Sequence, residues 1–279
     1  MKRRNTTTSA ATDLAERETA LEAELAVLGD VAPDHVRIGA LVRVGLADAW
    51  AQVASPLGTI GVAWNGRGVS WVDRGDDPVA FEGRFRASVG RPLSRAARVP
   101  ERLARAVAAR LAGDRRARID LDLRGHTAFE IAVWEKALEI PRGEVRPYGW
   151  IAAEIGRPKA VRAVGTALAH NPVPLVVPCH RVVRSDGTIG QYSLGGPDAK
   201  RTVLASEGLD ADRLEADGRA GQRYLGSATT KIVCLPSCHH ARRISAQHRR
   251  SYSSLPEALS AGFRPCRWCR PGSGALIAA

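Results

Sequence analysis

The chain of 279 residues holds five cysteines, and their spacing separates two kinds of chemistry. Cys179 stands alone, followed at once by His180, on a segment stiffened by Pro172, Pro174 and Pro178 that is expected to run extended. Cysteine attacks as the thiolate, and an imidazole with a carboxylate behind it can take the thiol proton, so this pair offers a fixed nucleophile with its own base. Cys234, Cys238, Cys266 and Cys269 instead form a Cys-x3-Cys and a Cys-x2-Cys pair separated by 27 residues. Four thiolates at such spacings suit tetrahedral zinc, and a module this small needs a staple because its own core is slight. His239 and His240 follow directly, but four cysteines already fill a tetrahedron, so both are expected outside the ligand set. Disulfide pairing is the weaker alternative: Met1-Lys2-Arg3-Arg4 is followed by polar residues rather than an apolar signal core, and a reducing cytoplasm is the expected compartment.

Both sites need elements to hold them. Residues 1–47 read as a helical extension, with Leu14, Leu21, Leu25 and Leu28 along a Glu- and Ala-rich helix in the first 30 residues. Ala49 to Ser55, Thr59 to Trp64 and Gly68 to Val72 alternate in polarity and are broken by Pro56-Leu57-Gly58 and Asn65-Gly66, the pattern of antiparallel strands. Helical periodicity follows at Pro78 to Val89 and Pro100 to Ala112, then a strand-like Ile119 to Leu123. Thr127 and Glu130 make a capping-box pair opening a helix that buries Phe129, Val133, Trp134, Ala137 and Leu138 and ends at Pro141. A second helix is expected from Tyr148 to Ile155. A third starts at Pro158, with Ala160, Val161, Val164, Ala167 and Leu168 on its buried side, and stops at Asn171-Pro172. Two helices about a tight Gly-containing turn outline a helix-turn-helix. Lys159, Arg162 and Thr166 are left facing away from that stripe, with Ala163 and Gly165 small enough for another backbone to come close, which makes this a candidate DNA-facing surface.

The composition agrees. The formal charge is +12, and only five of 41 basic residues are lysine, so the positive surface is almost all guanidinium, the group that best matches phosphate. With 44% hydrophobic and 25% charged residues, the chain reads as a soluble globular protein with no apolar run long enough to span a bilayer.

The run Asn171-Pro-Val-Pro-Leu-Val-Val-Pro-Cys-His-Arg-Val-Val183 closely resembles the active-site signature of O6-alkylguanine-DNA alkyltransferases. The resemblance continues upstream through Phe129, Val133-Trp134, Ile140-Pro141, Gly143, Tyr148, Ile151-Ala152 and the stretch Pro158 to Gly165. Downstream it takes in Gly187, Gly190, Tyr192, Lys200 and Glu207. It implies an α+β protein: a small antiparallel, ribonuclease-H-like sheet subdomain, then a helical helix-turn-helix alkyltransferase subdomain, followed here by a four-cysteine zinc domain. It implies that Cys179 accepts an alkyl group irreversibly from O6 of guanine, with His180 as its base through a water and Glu207 orienting the imidazole. Asn171 would tie the turn before the active-site arm to the recognition helix. Tyr148 would donate a hydrogen bond to the leaving purine, Tyr192 and Ser193 would close the pocket, and Arg162 would take the place of the extruded nucleotide. The transfer would need no cofactor. The stretch from Tyr192 to Lys200 is longer than the family's pattern, which bears on lid geometry.

Beyond a linker at 211–222, the segments Thr229 to Cys238 and Ala261 to Pro271 resemble the Ada-type zinc domain. In that family the first cysteine, here Cys234, is both a zinc ligand and an acceptor of methyl groups from phosphotriesters. Lys231, Leu235 and the spacing to Arg242 depart from the pattern, so Cys234 stands as a candidate second acceptor beside a purely structural zinc site that aids DNA contact. The expected organisation is an extension at 1–47, a sheet subdomain at 48–124, a catalytic and DNA-binding subdomain at 125–210, the linker, and the zinc domain at 223–272. The expected partner is double-stranded DNA carrying alkylated guanine, acted on by a monomer with no membrane. Two competitors are an alkyltransferase-like damage binder, in which tryptophan usually replaces the acceptor, and a cysteine hydrolase, which would draw its histidine from far away in sequence.

Overall fold

The computed structural model describes residues 33–114 and 116–272 together with Thr19, Ala20 and Ala23. Most of the expected N-terminal helix lies outside the described residues. The first described element of more than a few residues is helix α1 (Asp34–Val44), ended by Gly45 in the left-handed region.

Strands β1 (Asp48–Ser55), β2 (Gly58–Asn65) and β3 (Gly68–Arg74) form the expected antiparallel meander. Helix α2 (Pro78–Val89) is capped by Asp77 and drops Phe81 and Phe85 onto Trp50. Gly61 lies under the Phe81 ring, so a Cβ there would collide with it. A short β4 (Leu93–Arg95), not foreseen, pairs parallel with β1, making the sheet order β3-β2-β1-β4. Helix α3 (Glu101–Leu111) follows. Ile119 to Leu123, expected as a strand, contributes only an isolated bridge between Leu121 and Val69. Its alternation instead serves a buried charge cluster: Asp122 pairs with Arg91 and Arg124 and accepts from Asn65, which also donates to Asp48. These donors hold the Asp122 carboxyl down at about 2 despite its burial.

The helical half begins at α4 (Ala128–Leu138), where the capping box between Thr127 and Glu130 is fully formed. Trp134 donates through its indole nitrogen to the Ala167 carbonyl, 2.8 Å away, fixing α4 against the third helix of this half. Next come α5 (Tyr148–Glu154) and α6 (Val161–Ala169), the helix-turn-helix pair, joined by a turn with Gly156 at positive φ. Helix α6 starts later than expected: Lys159 lies in the turn before it, and Val161, expected in the buried stripe, is 40% exposed. A two-residue β5 (Arg146–Pro147) pairs in parallel with β6 (Val182–Val183), and α7 (Gly196–Ser206) packs behind. The stretch expected as a linker carries α8 (Ala211–Arg219), capped by Asp210 and bound by Arg201 to Glu215.

The last segment is a second four-stranded sheet of order β10-β8-β7-β9, from β7 (Tyr224–Ser227), β8 (Ile232–Cys234), β9 (Arg249–Tyr252) and β10 (Arg264–Pro265). Helices α9 (His239–Arg242) and α10 (Leu255–Ser260) complete it, with Val233, Leu255, Ala258 and Phe263 as a minimal apolar core. Among the described residues no helix is long and apolar enough to cross a membrane.

Candidate active site and metal centre

Residues 171–183 are buried throughout. The proline-rich arm is folded back rather than extended: Leu175 takes φ 72° and the Val177 amide donates to the Val173 carbonyl. Cys179 to Arg181 then form one 3-10 turn leading into β6. Cys179 is 5% exposed and His180 1%, so thiol and imidazole are held by packing.

Asn171 is the pin. Its side-chain amide donates to the Val177 carbonyl at 3.0 Å and to Cys179 Sγ at 3.1 Å, while its oxygen accepts from the Val173 amide. It therefore organises the arm and reaches the sulfur itself; its link to α6 is a backbone bond to Leu168. His180 Nε2 lies 3.0 Å from Glu207 Oε1. Glu207 also accepts from Arg181 Nε and Nη2 and from the Gly143 amide at 3.1 Å. Burial raises the Glu207 pKa, but hydrogen bonds from His180 and Arg181 outweigh it and hold the carboxyl at about 2. An ionised Glu207 has no proton to give, so Nε2 carries the imidazole hydrogen and Nδ1 keeps the lone pair. Nδ1 is buried with no hydrogen-bond partner among the described residues. Burial lowers the His180 pKa although Glu207 opposes this, and burial raises that of Cys179 although Asn171 and Lys200 oppose it. The resting site is thus a neutral thiol beside a neutral imidazole backed by a carboxylate, with a preset proton acceptor.

Two phenols lie near enough to the sulfur to feel its charge. Tyr148, at the start of α5, and Tyr192 both have raised pKa values, mainly from burial and in part from the nearby Cys179 charge. Tyr192 meets the His180 ring edge-on at 6.1 Å, and its hydroxyl is buried without a partner among the described residues. Ser193 follows at the surface. On α6 and the turn before it, Lys159, Arg162, Ala163 and Thr166 are exposed and Gly165 is half-buried against the Tyr148 ring, so the expected outer face is a real surface adjoining the phenol.

Three contributors carry no role in the sequence reading. Arg181 grips Glu207 and donates to the Ile140 carbonyl. Lys200, fully buried, donates to the Val182 carbonyl at 2.6 Å and has its pKa pulled down to about 8 by burial. Glu144, 2% exposed, pairs with Arg146 at 2.6 Å. Arg181 and Lys200 fall within the family-like stretch but local sequence does not say which carboxylate or carbonyl each will meet, and Glu144 lies among charged turn residues with no signal of its burial.

The four C-terminal cysteines converge. Cys234 ends β8 and Cys266 follows β10, its parallel neighbour; Cys238 precedes α9 and Cys269 closes the knuckle. All four are buried and their sulfurs lie within 4.8 Å of one another. Zinc–sulfur bonds of about 2.3 Å place tetrahedral sulfurs about 3.8 Å apart, so the donor set fits zinc. The Leu235 amide donates to Cys269 Sγ, the kind of bond that stabilises a thiolate ligand. The His239 and His240 rings lie tilted against each other near Trp268; neither belongs to the four-sulfur group, although His239 comes within 4.8 Å of the Cys238 sulfur and the Glu144 carboxylate. Beside Cys234 and Cys266 opens a cleft of about 640 Å³ with Arg243, Arg264, Arg267 and His240 on its walls.

A helix-turn-helix beside a buried cysteine, histidine and carboxylate, followed by a four-cysteine metal-binding module, defines a two-centre cysteine protein. Residues 128–209 match the family model described as 6-O-methylguanine DNA methyltransferase, DNA binding domain, and residues 213–272 that of the metal binding domain of Ada. Residues 128–209 thus carry a DNA-binding domain of the 6-O-methylguanine DNA methyltransferase type, and an Ada-type metal-binding domain follows it in the chain. A methylated-DNA–protein-cysteine methyltransferase of Mycolicibacterium paratuberculosis is 53% identical over 89 residues, 32% of this chain and 53% of that protein. The Rattus norvegicus protein of the same name is 46% identical over 86 residues, 31% of this chain and 41% of its own. The chain spans about half the length of the curated relatives it matches. The solved structure of Mycobacterium tuberculosis OGT in complex with DNA is 33% identical, covering 60% of this chain and 98% of that one with a TM-score of 0.48.

Proposed function

We propose that this protein repairs alkylated DNA by direct reversal, taking a methyl or other alkyl group from O6 of guanine onto Cys179 in a single irreversible event. The observation that carries this reading is the buried Cys179–His180 pair with Glu207 on Nε2 of the imidazole, which leaves Nδ1 as the ring nitrogen able to take a proton. Cys179 gives its proton to His180, through a water, and its sulfur attacks the alkyl carbon. The carbon–O6 bond breaks with its electron pair left on the purine. Tyr148 donates a hydrogen bond to the leaving purine, and a proton taken from solvent lets guanine depart as a neutral base. The thioether is stable to water, so the chain acts once.

Asn171 holds the sulfur in place, and Tyr192 and Ser193 close the pocket. Because Cys179 is only 5% exposed, the site must open for an extruded base to reach it. In double-stranded DNA, Arg162 fills the space the base leaves, while Lys159 and Thr166 meet the backbone and Ala163 and Gly165 allow the approach. Residues 48–124 serve as the sheet subdomain, 125–210 as the catalytic and DNA-binding unit and 223–272 as the zinc domain, the whole acting as a monomer in the cytoplasm. Cys234, Cys238, Cys266 and Cys269 would hold zinc, which would keep their sulfurs as thiolates, one of them nucleophilic without a base. The arginine-walled cleft beside Cys234 suits a phosphate and favours Cys234 as a second acceptor, for methylphosphotriesters.

Intact-mass and peptide analysis after incubation with duplex DNA carrying O6-methylguanine tests the first site. A gain of one methyl group on Cys179, lost in Cys179→Ala, is the expected result; folded protein that stays unmodified refutes it. The same measurement with a methylphosphotriester strand reads Cys234.

A further inference from the structure

The turn between α4 and α5 touches both centres of the molecule. The Gly143 amide donates to Glu207 Oε2 at 3.1 Å, so this turn supplies one of the bonds that hold the His180 carboxylate in position. Gly143 sits at φ 71°, and a Cβ there would come within 2.9 Å of the Glu207 carbonyl, so the approach is close as well as bonded. The next residue turns the other way. Glu144 Oε1 accepts from the His239 backbone amide at 3.2 Å and from the Trp268 indole at 3.3 Å, both in the zinc module, while Oε2 holds Arg146. Val145 is bound at both its amide and its carbonyl by Ser237 Oγ, at 2.9 and 3.1 Å. Arg146 then enters β5, which pairs with β6 just beyond the Cys179 turn, and Tyr148 follows.

The three module residues that grip this turn all stand beside metal ligands. Ser237 and His239 flank Cys238, and Trp268 lies between Cys266 and Cys269. The β8–β10 pairing joins Cys234 to Cys266, but Cys238 and Cys269, next to the gripping residues, lie outside that pairing, and gathering the four sulfurs on one ion would fix them against a module whose apolar core is small. Glu144 is a buried carboxylate whose partners come from both domains, so it cannot be left half-satisfied without cost. A second contact, Arg270 with Glu154 at the end of α5, extends the same interface onto the helix-turn-helix.

We propose that the metal-loaded zinc module acts as a clamp on the alkyl-acceptor site, with Glu144 as the positioning residue. Loading the four-cysteine site holds residues 143–148 in the form that supports Glu207 and Tyr148; loss of the metal releases them and slows transfer to Cys179. This rests on the proposed role of Cys179, so the test includes a readout that needs no chemistry.

The experiment compares the full-length chain with zinc bound, the same chain after chelation, and Glu144→Gln and Glu144→Ala. Backbone hydrogen exchange of residues 143–148 and 180–183 is followed beside the single-turnover rate of Cys179 methylation. Chelation is expected to speed exchange in both segments and to slow methylation about tenfold, the usual scale for losing an outer contact of a metal site. Glu144→Ala should do the same with zinc still bound in full stoichiometry, and chelation should then add little. Glu144→Gln keeps an acceptor for His239 and Trp268 and should recover part of the rate. If chelation opens the module but leaves exchange at 143–148 unchanged, the two domains are independent and the proposal fails. If exchange changes as described while no form methylates Cys179, the clamp stands and the reading of Cys179 falls.

Discussion

Glu207→Gln removes a single charge at nearly constant shape, and the structure says what that charge supports. The carboxylate faces the imidazole of His180 and the guanidinium of Arg181, whose side chain is only 9% exposed. Its pKa falls from an ordinary 4.5 to about 2 on folding, despite burial that works in the opposite direction. At ~1.4 kcal/mol per pH unit this is worth about 3 kcal/mol. The sign follows from a depressed carboxyl: the stabilisation is fully present above pH 4.5 and is lost as pH falls through about 2, because the unfolded chain takes up the proton first. Glutamine leaves Arg181 as a buried charge without its counterion, for which a loss of about 3 to 5 kcal/mol is typical. Denaturant unfolding from pH 7 down to pH 2 should show wild type losing stability across that window and Glu207→Gln starting lower with a flatter profile. Arg181→Met in the same background should recover part of the loss, since the orphaned cation is gone. Methylation of Cys179 should slow by about a hundredfold, as His180 loses the group that stabilises its protonated form. A variant within about 1 kcal/mol of wild type at pH 7, with the acid limb unchanged, would refute this electrostatic account.

Asn171→Leu removes the only side-chain donor that reaches Cys179 Sγ among the described residues, so the thiol pKa should rise and the pH profile of Cys179 alkylation by a small electrophile should move to higher pH; an unmoved profile counts against the pin. Arg162→Ala should slow repair in duplex DNA more than in single strands, since only the duplex needs a wedge; equal losses would remove Arg162 from that role. Lys200 is fully buried with its pKa lowered to about 8, so wild type should gain stability as pH rises from 8 towards 10.5, where the unfolded lysine still holds the proton that the folded one has released. Lys200→Met should abolish that rise in an alkaline unfolding series, while leaving the Val182 carbonyl without its donor; a rise that persists means another group causes it.

Several features were set by local pattern alone. Alternation and the Asn65-Gly66 turn determined the first three strands, Thr127 and Glu130 the start of α4, and the spacing of four cysteines the zinc site, because each depends on interactions within a few residues or on a ligand count. The Cys179–His180 pair and its α+β setting were equally legible, through a run whose resemblance covers the helical half. Other features needed partners far apart in the chain. Ile119 to Leu123 has the period of a strand, yet Asp122 is drawn into the Asp48, Arg91 and Arg124 cluster, so pairing stops at one bridge. Pro172 to Pro178 reads as extended but folds back where Leu175 turns and Asn171 gathers its carbonyls and amides. The stretch after Leu209 has a linker's composition, and becomes a helix because Asp210 caps it and Arg201 reaches Glu215. The sequence could place a nucleophile and a metal site on one chain. That they share the turn at Glu144 was decided only by tertiary packing, since a buried carboxylate must find its donors wherever the fold brings them.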